Sequence, residues 1–345
     1  MTDQHSSTLP ATLPGSGDSS TSLNHDGGAT AVRTQGAPGG RPPSSADAAA
    51  TRRTGLLYGV GAYGLWGLLP LYFMLLLPAG AVEIVANRVL WSLIFCAILM
   101  TATRSWGEFL AALRRPRTLG VLAIAAALIG VNWLTYTYGV TSGQAVEASL
   151  GYYINPLVSV LLGVLVLKER LRPVQWVAVG IGAVAVVVLT VAYGKLPWIA
   201  LVLAFSFGFY GLMKKKVGAG VNAVTSLSVE TLVLAPFAAV TVVALTMNQA
   251  ATLTGYGSAH FWLMAASGII TAVPLVFFGA SASRLPLTTI GMLQYFAPTL
   301  QLLVATLVLG EHMGPERWVG FGLVWAALLV LTADIVWTTV KVRRN

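Results

Sequence analysis

At 345 residues the chain is long enough for two soluble domains, yet 56% of it is apolar and only 10% is charged. Ordinary globular domains carry about 25% charged residues, so this composition excludes them and fits an integral membrane protein. The net charge of +9 would suit nucleic acid if the basic residues formed a soluble face, and their placement along the chain excludes that.

Residues 1–54 contain no Phe, Trp, Tyr or Ile and are crowded with Ser, Thr, Gly and Pro. Such a segment cannot bury enough apolar area to offset its ordering entropy, so it is expected to be a disordered tail. It lacks the basic start and apolar centre of a signal peptide. From about Gly55 onward, apolar runs of about 20 residues recur, each long enough to cross a hydrocarbon core of roughly 30 Å. They predict helices over 56–77, 81–102, 119–140, 147–167, 173–192, 196–213, 221–246, 260–281, 287–309 and 315–338. Helices are expected because backbone groups in lipid must be satisfied within their own segment. The ten-residue alternating segments of a β-barrel are absent.

With the tail in the cytoplasm, 18 of the 21 Lys and Arg residues fall in segments on that side, and Arg88, Lys195 and Arg317 lie on or near the other. This bias sets both termini in the cytoplasm and accounts for the net charge without a nucleic-acid partner. The single cysteine, Cys96, lies in an apolar run and rules out an intrachain disulfide.

Five predicted helices precede residue 195 and five follow it. The stretch Tyr153–Thr190 is identical to Tyr295–Thr332 at 15 of 38 positions without a gap, at a constant offset of 142. Tyr153, Pro156, Glu169, Pro173 and Trp176 meet Tyr295, Pro298, Glu311, Pro315 and Trp318. An odd number of crossings per half turns the second half upside down, which predicts an inverted-topology repeat of 55–192 and 193–340. Pro156 and Pro298 lie well inside their helices and remove a donor to the carbonyl four residues earlier. They are candidate helix breaks beside a central cavity. Glu169 and Glu311 are candidate gating residues at opposite mouths, although a purely structural hairpin fits them equally.

An ionisable residue at mid-membrane costs about 2.5–3.5 kcal/mol or more, which directs attention to Arg88 and Glu230. They too are 142 apart. Three roles fit them: a central ion pair, a division in which one holds a charged solute while the other carries protons, or a static lock between the halves. Asn132, Tyr152, Tyr210 and Gln294 complete the candidate solute-binding set, each also readable as packing. Glu83, Glu147 and Asp334 read as interfacial carboxylates. The chain has no G-x-x-x-x-G-K-[ST] loop for ATP, no H-E-x-x-H, and four scattered His that predict no metal site. No catalytic residues and no cofactor are assigned.

The stretches "AYGLWGLLPLYF", "EIVANRVLWS", "EASLGYYINPLVSVLLGVLVLKERLRPVQW" and "GMLQYFAPTLQLLVATLVLGE" together closely resemble the RarD branch of the EamA permeases, in the drug/metabolite transporter superfamily. The resemblance implies an all-α fold of ten transmembrane helices in two inverted five-helix repeats, in a bacterial cytoplasmic membrane. It also implies alternating access around a central cavity. The group is often labelled by chloramphenicol sensitivity, while relatives in the wider superfamily move amino acids, nucleotide precursors or cationic drugs, so no substrate follows. The expectation is a secondary active transporter that moves a small metabolite or drug outward, with protons as the candidate coupling ion. The alternative is an intramembrane enzyme acting on a lipid-linked substrate.

Overall fold

The apolar runs become helices in the computed structural model, which describes residues 45–168, 170–217, 221–285 and 287–344. In chain order these are α1 (Ser45–Gly67), α2 (Leu69–Leu75), α3 (Ala81–Thr103), α4 (Trp106–Arg114), α5 (Pro116–Thr141), α6 (Ala145–Leu167) and α7 (Pro173–Tyr193). They continue with α8 (Trp198–Val217), α9 (Ala223–Met247), α10 (Gly257–Ala282), α11 (Leu287–Leu293), α12 (Phe296–Leu303), a π turn (Val304–Val308) and α13 (Pro315–Arg344). Eight helices among the described residues are long and apolar enough to cross a membrane, and the α1–α2 pair, bent by 41°, makes a ninth if counted as one span. The ninth predicted crossing, 287–309, is interrupted, and its apolar part, Phe296–Val308, is short.

Local chemistry explains the boundaries. Pro173 opens α7 and Pro315 opens α13, where a missing N–H costs little. Residues 45–54, assigned from sequence to the tail, are helical, as their Ala-rich composition favours. Residues 1–44 and Glu169 lie outside the described residues.

The two matched prolines behave differently. The expected break at Pro156 is not found, because α6 runs unbroken through it. At Pro298 the chain turns four residues earlier, between α11 and α12, where the Gln294 carbonyl has lost its donor. Gly151 accounts for part of the contrast. A Cβ there would lie 2.8 Å from the Ala200 carbonyl oxygen, so α6 and α8 touch backbone to backbone. The counterpart of Gly151 is Leu293, whose side chain reaches across to Gly59 and cannot permit the same approach.

A third proline, Pro70, bends α1 into α2 and removes the donor to the Trp66 carbonyl. The Gln301 side chain of α12 supplies it, with Nε2 donating to that oxygen at 3.1 Å.

Helix pairing has a definite symmetry. The most extensive contacts join α7 to α13, α6 to α8, α3 to α9, α5 to α8, α1 to α10 and α3 to α10, with α1–α12 and α5–α9 next. Exchanging each helix for its counterpart 142 residues away swaps α1 with α8, α3 with α9, α5 with α10, α6 with α11–α12, and α7 with α13. Under that exchange the pairings map onto themselves: α1–α10 becomes α8–α5, and α3–α10 becomes α9–α5. Each of these contacts joins residues before 193 to residues after it. Outward-facing positions are apolar, as lipid requires; Phe237, Met247 and Leu329 are each more than 70% exposed.

At the α3–α10 contact, a Cβ on Gly268 would overlap the Trp91 carbonyl, whereas one on Gly279 of the same helix would meet nothing. Gly268→Ala is expected to destabilise the purified protein by about 1–3 kcal/mol, read as a lower thermal midpoint. Gly279→Ala is the control that leaves the midpoint unchanged.

Candidate functional site

Arg88 sits two turns into α3 and is 5% exposed. Its Nε donates to Thr271 Oγ1 of α10 at 2.7 Å, and Thr271 passes its own proton to the Ser267 carbonyl. The guanidinium lies 4.4 Å over the Trp133 ring and 5.9 Å from the centre of Phe73. The phenols of Tyr72, Tyr136 and Tyr152 lie within its electrostatic reach. Among the described residues no carboxylate lies within ion-pair distance of it.

Glu230 sits at the matching depth of α9, and its partner is Lys214, at 2.8 Å. This corrects the ion pair drawn from sequence between Arg88 and Glu230. The physical reason is that α3 and α9 run antiparallel, with Glu83 beside Thr252 at one end and Met100 beside Val229 at the other. At 1.5 Å per residue, Arg88 and Glu230 each stand about 10 Å from opposite helix ends. The carboxylate of Glu230 is fully used, because Ser226 Oγ donates to Oε1 at 2.8 Å and Tyr210 OH to Oε2 at 3.1 Å. Lys214 also donates to Ser226 Oγ and lies over the Tyr210 ring.

Between these two charges the predicted residues form a connected set. Tyr152 OH donates to Asn132 Oδ1 at 3.0 Å, while Asn132 Nδ2 donates to Ser206 Oγ and the Leu203 carbonyl. The ring of Tyr152 meets Tyr136 on one side and Phe207 on the other, and Phe207 meets Tyr210. Gln294 stands apart, at the α11–α12 break beside Tyr295.

Lys214, Ser226, Thr271 and Phe73 were absent from the sequence-derived set. Lys214 belongs to a "KKK" run that reads as a cytoplasmic cluster, but it is four residues from Tyr210, and Ser226 is four from Glu230. That spacing places each pair on one helix face and was the available signal.

Glu83 and Glu147, assigned to the interface, are buried tethers instead, and Glu311, a candidate gating residue, is a half-buried one. Glu83 accepts the N–H groups of Thr252 and Leu253 at 2.6 and 3.0 Å and the Thr252 hydroxyl at 3.0 Å. Glu147 accepts the Ile199 N–H at 2.9 Å, at the start of α8. Glu311 accepts the Ala145 and Val146 N–H groups at 2.6 and 2.9 Å, at the start of α6. Helix N-termini leave four such donors free and carry partial positive charge, so a carboxylate there satisfies both. Gly143, Gln144, Glu147, Lys195, Glu311 and Arg317 line a cavity of about 310 Å³ at this end. Burial pushes the Glu311 carboxyl above its ordinary range, with the two N–H donors and Arg317 offsetting part of the effect.

The model of the EamA-like transporter family matches this chain twice, at residues 53–191 and 196–333. The chain belongs to that family. The protein RarD of Streptomyces exfoliatus is 53% identical over 292 residues, 85% of this chain and 92% of the relative. An uncharacterized transporter of Pseudomonas aeruginosa is 44% identical over 294 residues, 85% of this chain and 98% of the relative. A solved crystal structure aligns with a TM-score of 0.52 over 80% of this chain and 96% of its own, at 20% identity, a likeness of fold. This RarD-type EamA chain is therefore a multi-pass membrane transporter.

In this transporter the Glu230 cluster is fully satisfied, so its loss is structural. Glu230→Ala leaves Lys214, Ser226 and Tyr210 without their shared acceptor, yet Lys214→Ala is expected to lower the thermal midpoint further. Lys214 is about one-third exposed and can turn to water once Glu230 is gone, whereas removing Lys214 leaves the almost wholly buried Glu230 carboxylate without its cation.

Proposed function

We propose that this protein is a secondary transporter that carries a small solute by alternating access of two inverted halves, with Arg88 at the solute-binding seam. Each half spans five crossings in this reading, α1–α2 and α11–α12 each serving as one. Both chain ends face the cytoplasm, as the Lys and Arg bias requires, in the bacterial cytoplasmic membrane. The self-mapping helix pairing and the two family matches support the repeat.

The observation that carries alternating access is the contrast between the two ends of the bundle. At the outer end, Glu83, Glu147 and Glu311 tie one half to the other, and Glu83 and Glu147 are almost wholly buried. At the inner end, the polar cross-half contacts are more exposed, Arg172, 48% accessible, meeting Asp334 at 3.1 Å and Asn222 meeting Glu108, beside the buried apolar contact of Met100 and Leu122 with Val229. The conformation is closed outside, and outward opening requires the three tethers to part. Arg88 bonds Thr271 across the same seam, while Tyr152, Asn132 and Tyr210 form its wall. Protons are the proposed coupling ion.

Flux of labelled small metabolites into proteoliposomes, with and without a pH gradient, tests the reading. Arg88→Ala is expected to abolish flux while inserting normally; full flux by the inserted variant would remove Arg88 from the site.

Glu311 supplies a pH test. Its carboxyl is raised while tethered and returns to its ordinary value when opening exposes it to water. The tethered state is therefore favoured below the ordinary carboxylate range and loses that advantage as pH rises through the raised value. In a Cys96→Ser background, the distance between spin labels at Ser142→Cys and Glu316→Cys is expected to lengthen with rising pH. Glu311→Gln removes that component, leaving what Glu147, which lines the same cavity, contributes.

A further inference from the structure

Among the described residues, Arg88 and Lys214 are cations turned into the bundle away from the outer cavity, and they are treated differently. Lys214 has Glu230 at 2.8 Å. Arg88 has a hydroxyl on Nε and aromatic rings beside it, and its Nη1 and Nη2 have no hydrogen-bond partner among the described residues. Aromatic faces offset part of a cation's desolvation, yet they leave the two-pronged donor edge of the guanidinium unused. That edge matches the two oxygens of a carboxylate.

We infer that the solute is a small organic monocarboxylate, its carboxylate paired with the Nη edge of Arg88 and its apolar body against Phe73, Tyr136 and Tyr152. The inference rests on the proposed transport reading and specifies its substrate class. One unmatched positive charge calls for one negative charge. A dianion such as a phosphate monoester would bring a surplus charge into a low-dielectric site, where it has no second cation: Lys214 is already paired. The body must be apolar and flat enough to lie along rings whose centroids are 5.4–5.9 Å apart in the sequence Phe73–Tyr136–Tyr152. Asn132 is turned away from the solute's charge, since its amide is occupied by Tyr152, Ser206 and Leu203. A neutral solute of the same shape would leave Arg88 uncompensated, and a cationic one would face direct repulsion.

The test is calorimetric titration of the purified full chain in phosphatidylcholine nanodiscs with phenylacetate, phenylacetamide and phenethylamine, which share a body and differ in charge. Phenylacetate is expected to bind, with the amide at least about tenfold weaker, as a lost charge-assisted hydrogen bond implies, and the amine not detected. Arg88→Gln is expected to erase the preference for the acid over the amide. Arg88→Lys, which keeps the charge and loses the fork, retains the preference at reduced strength. Equal binding of acid and amide, an unchanged preference in a folded Arg88→Gln protein, or no binding of the acid overturns the assignment. Abolition of phenylacetate binding by added phosphatidylglycerol also overturns it, by giving the site to a lipid headgroup. A protein that transports a neutral solute yet ignores the acid refutes the anion assignment alone. One that binds the acid through Arg88 yet shows no flux of it refutes the transport reading alone.

Discussion

A backbone polar group inside a bilayer has no water to turn to, so each place where a helix starts, stops or meets a proline needs a partner from elsewhere in the protein. Much of this structure follows from how those partners are supplied. The Trp66 carbonyl, stripped of its donor by Pro70, takes one from Gln301. The first N–H groups of α6 take Glu311, and the start of α8 takes Glu147. In each case the partner comes from the other half of the chain. The devices that satisfy the backbone are therefore the devices that join the halves, and opening the bundle at that end exposes the same donors to water, where they are again satisfied.

Charges inside the bundle obey the same requirement with less tolerance. Glu230 receives three donors and is settled by them. Arg88 receives one hydroxyl and the faces of aromatic rings, an environment that tolerates a cation without neutralising it. The connected wall of Asn132, Tyr152, Phe207 and Tyr210 links these two environments, so that one end of the seam is electrostatically closed and the other is left asking for a negative group.

Much of the helix map was legible because length and hydropathy are strong signals: α3, α7 and α10 begin and end within a few residues of their expected limits. Arg88, Glu230, Asn132, Tyr152 and Tyr210 were legible as a group because polar side chains in apolar runs need a reason. Their partners were not. Whether Glu230 meets Arg88 or Lys214 depends on depth along antiparallel helices, which the offset of 142 implied but the mere presence of opposite charges obscured. Glu83 and Glu147 looked like solvated ends because the segments they bond are remote in sequence. Gln294, one residue from a matched tyrosine, went to a helix break instead of the seam because its neighbour Leu293 stands where the first half has Gly151.

The helix pairings carry a consequence for how the molecule comes into being. Since the most extensive contacts run between the two halves, the helices of the first half emerge into the bilayer before their main partners and have only lesser contacts, such as α3–α5, α5–α6 and α6–α7, among themselves. Each half serves as the other's interior. Maturation of this transporter is thus closer to the assembly of a two-subunit complex on a single ribosome product than to the successive completion of two domains.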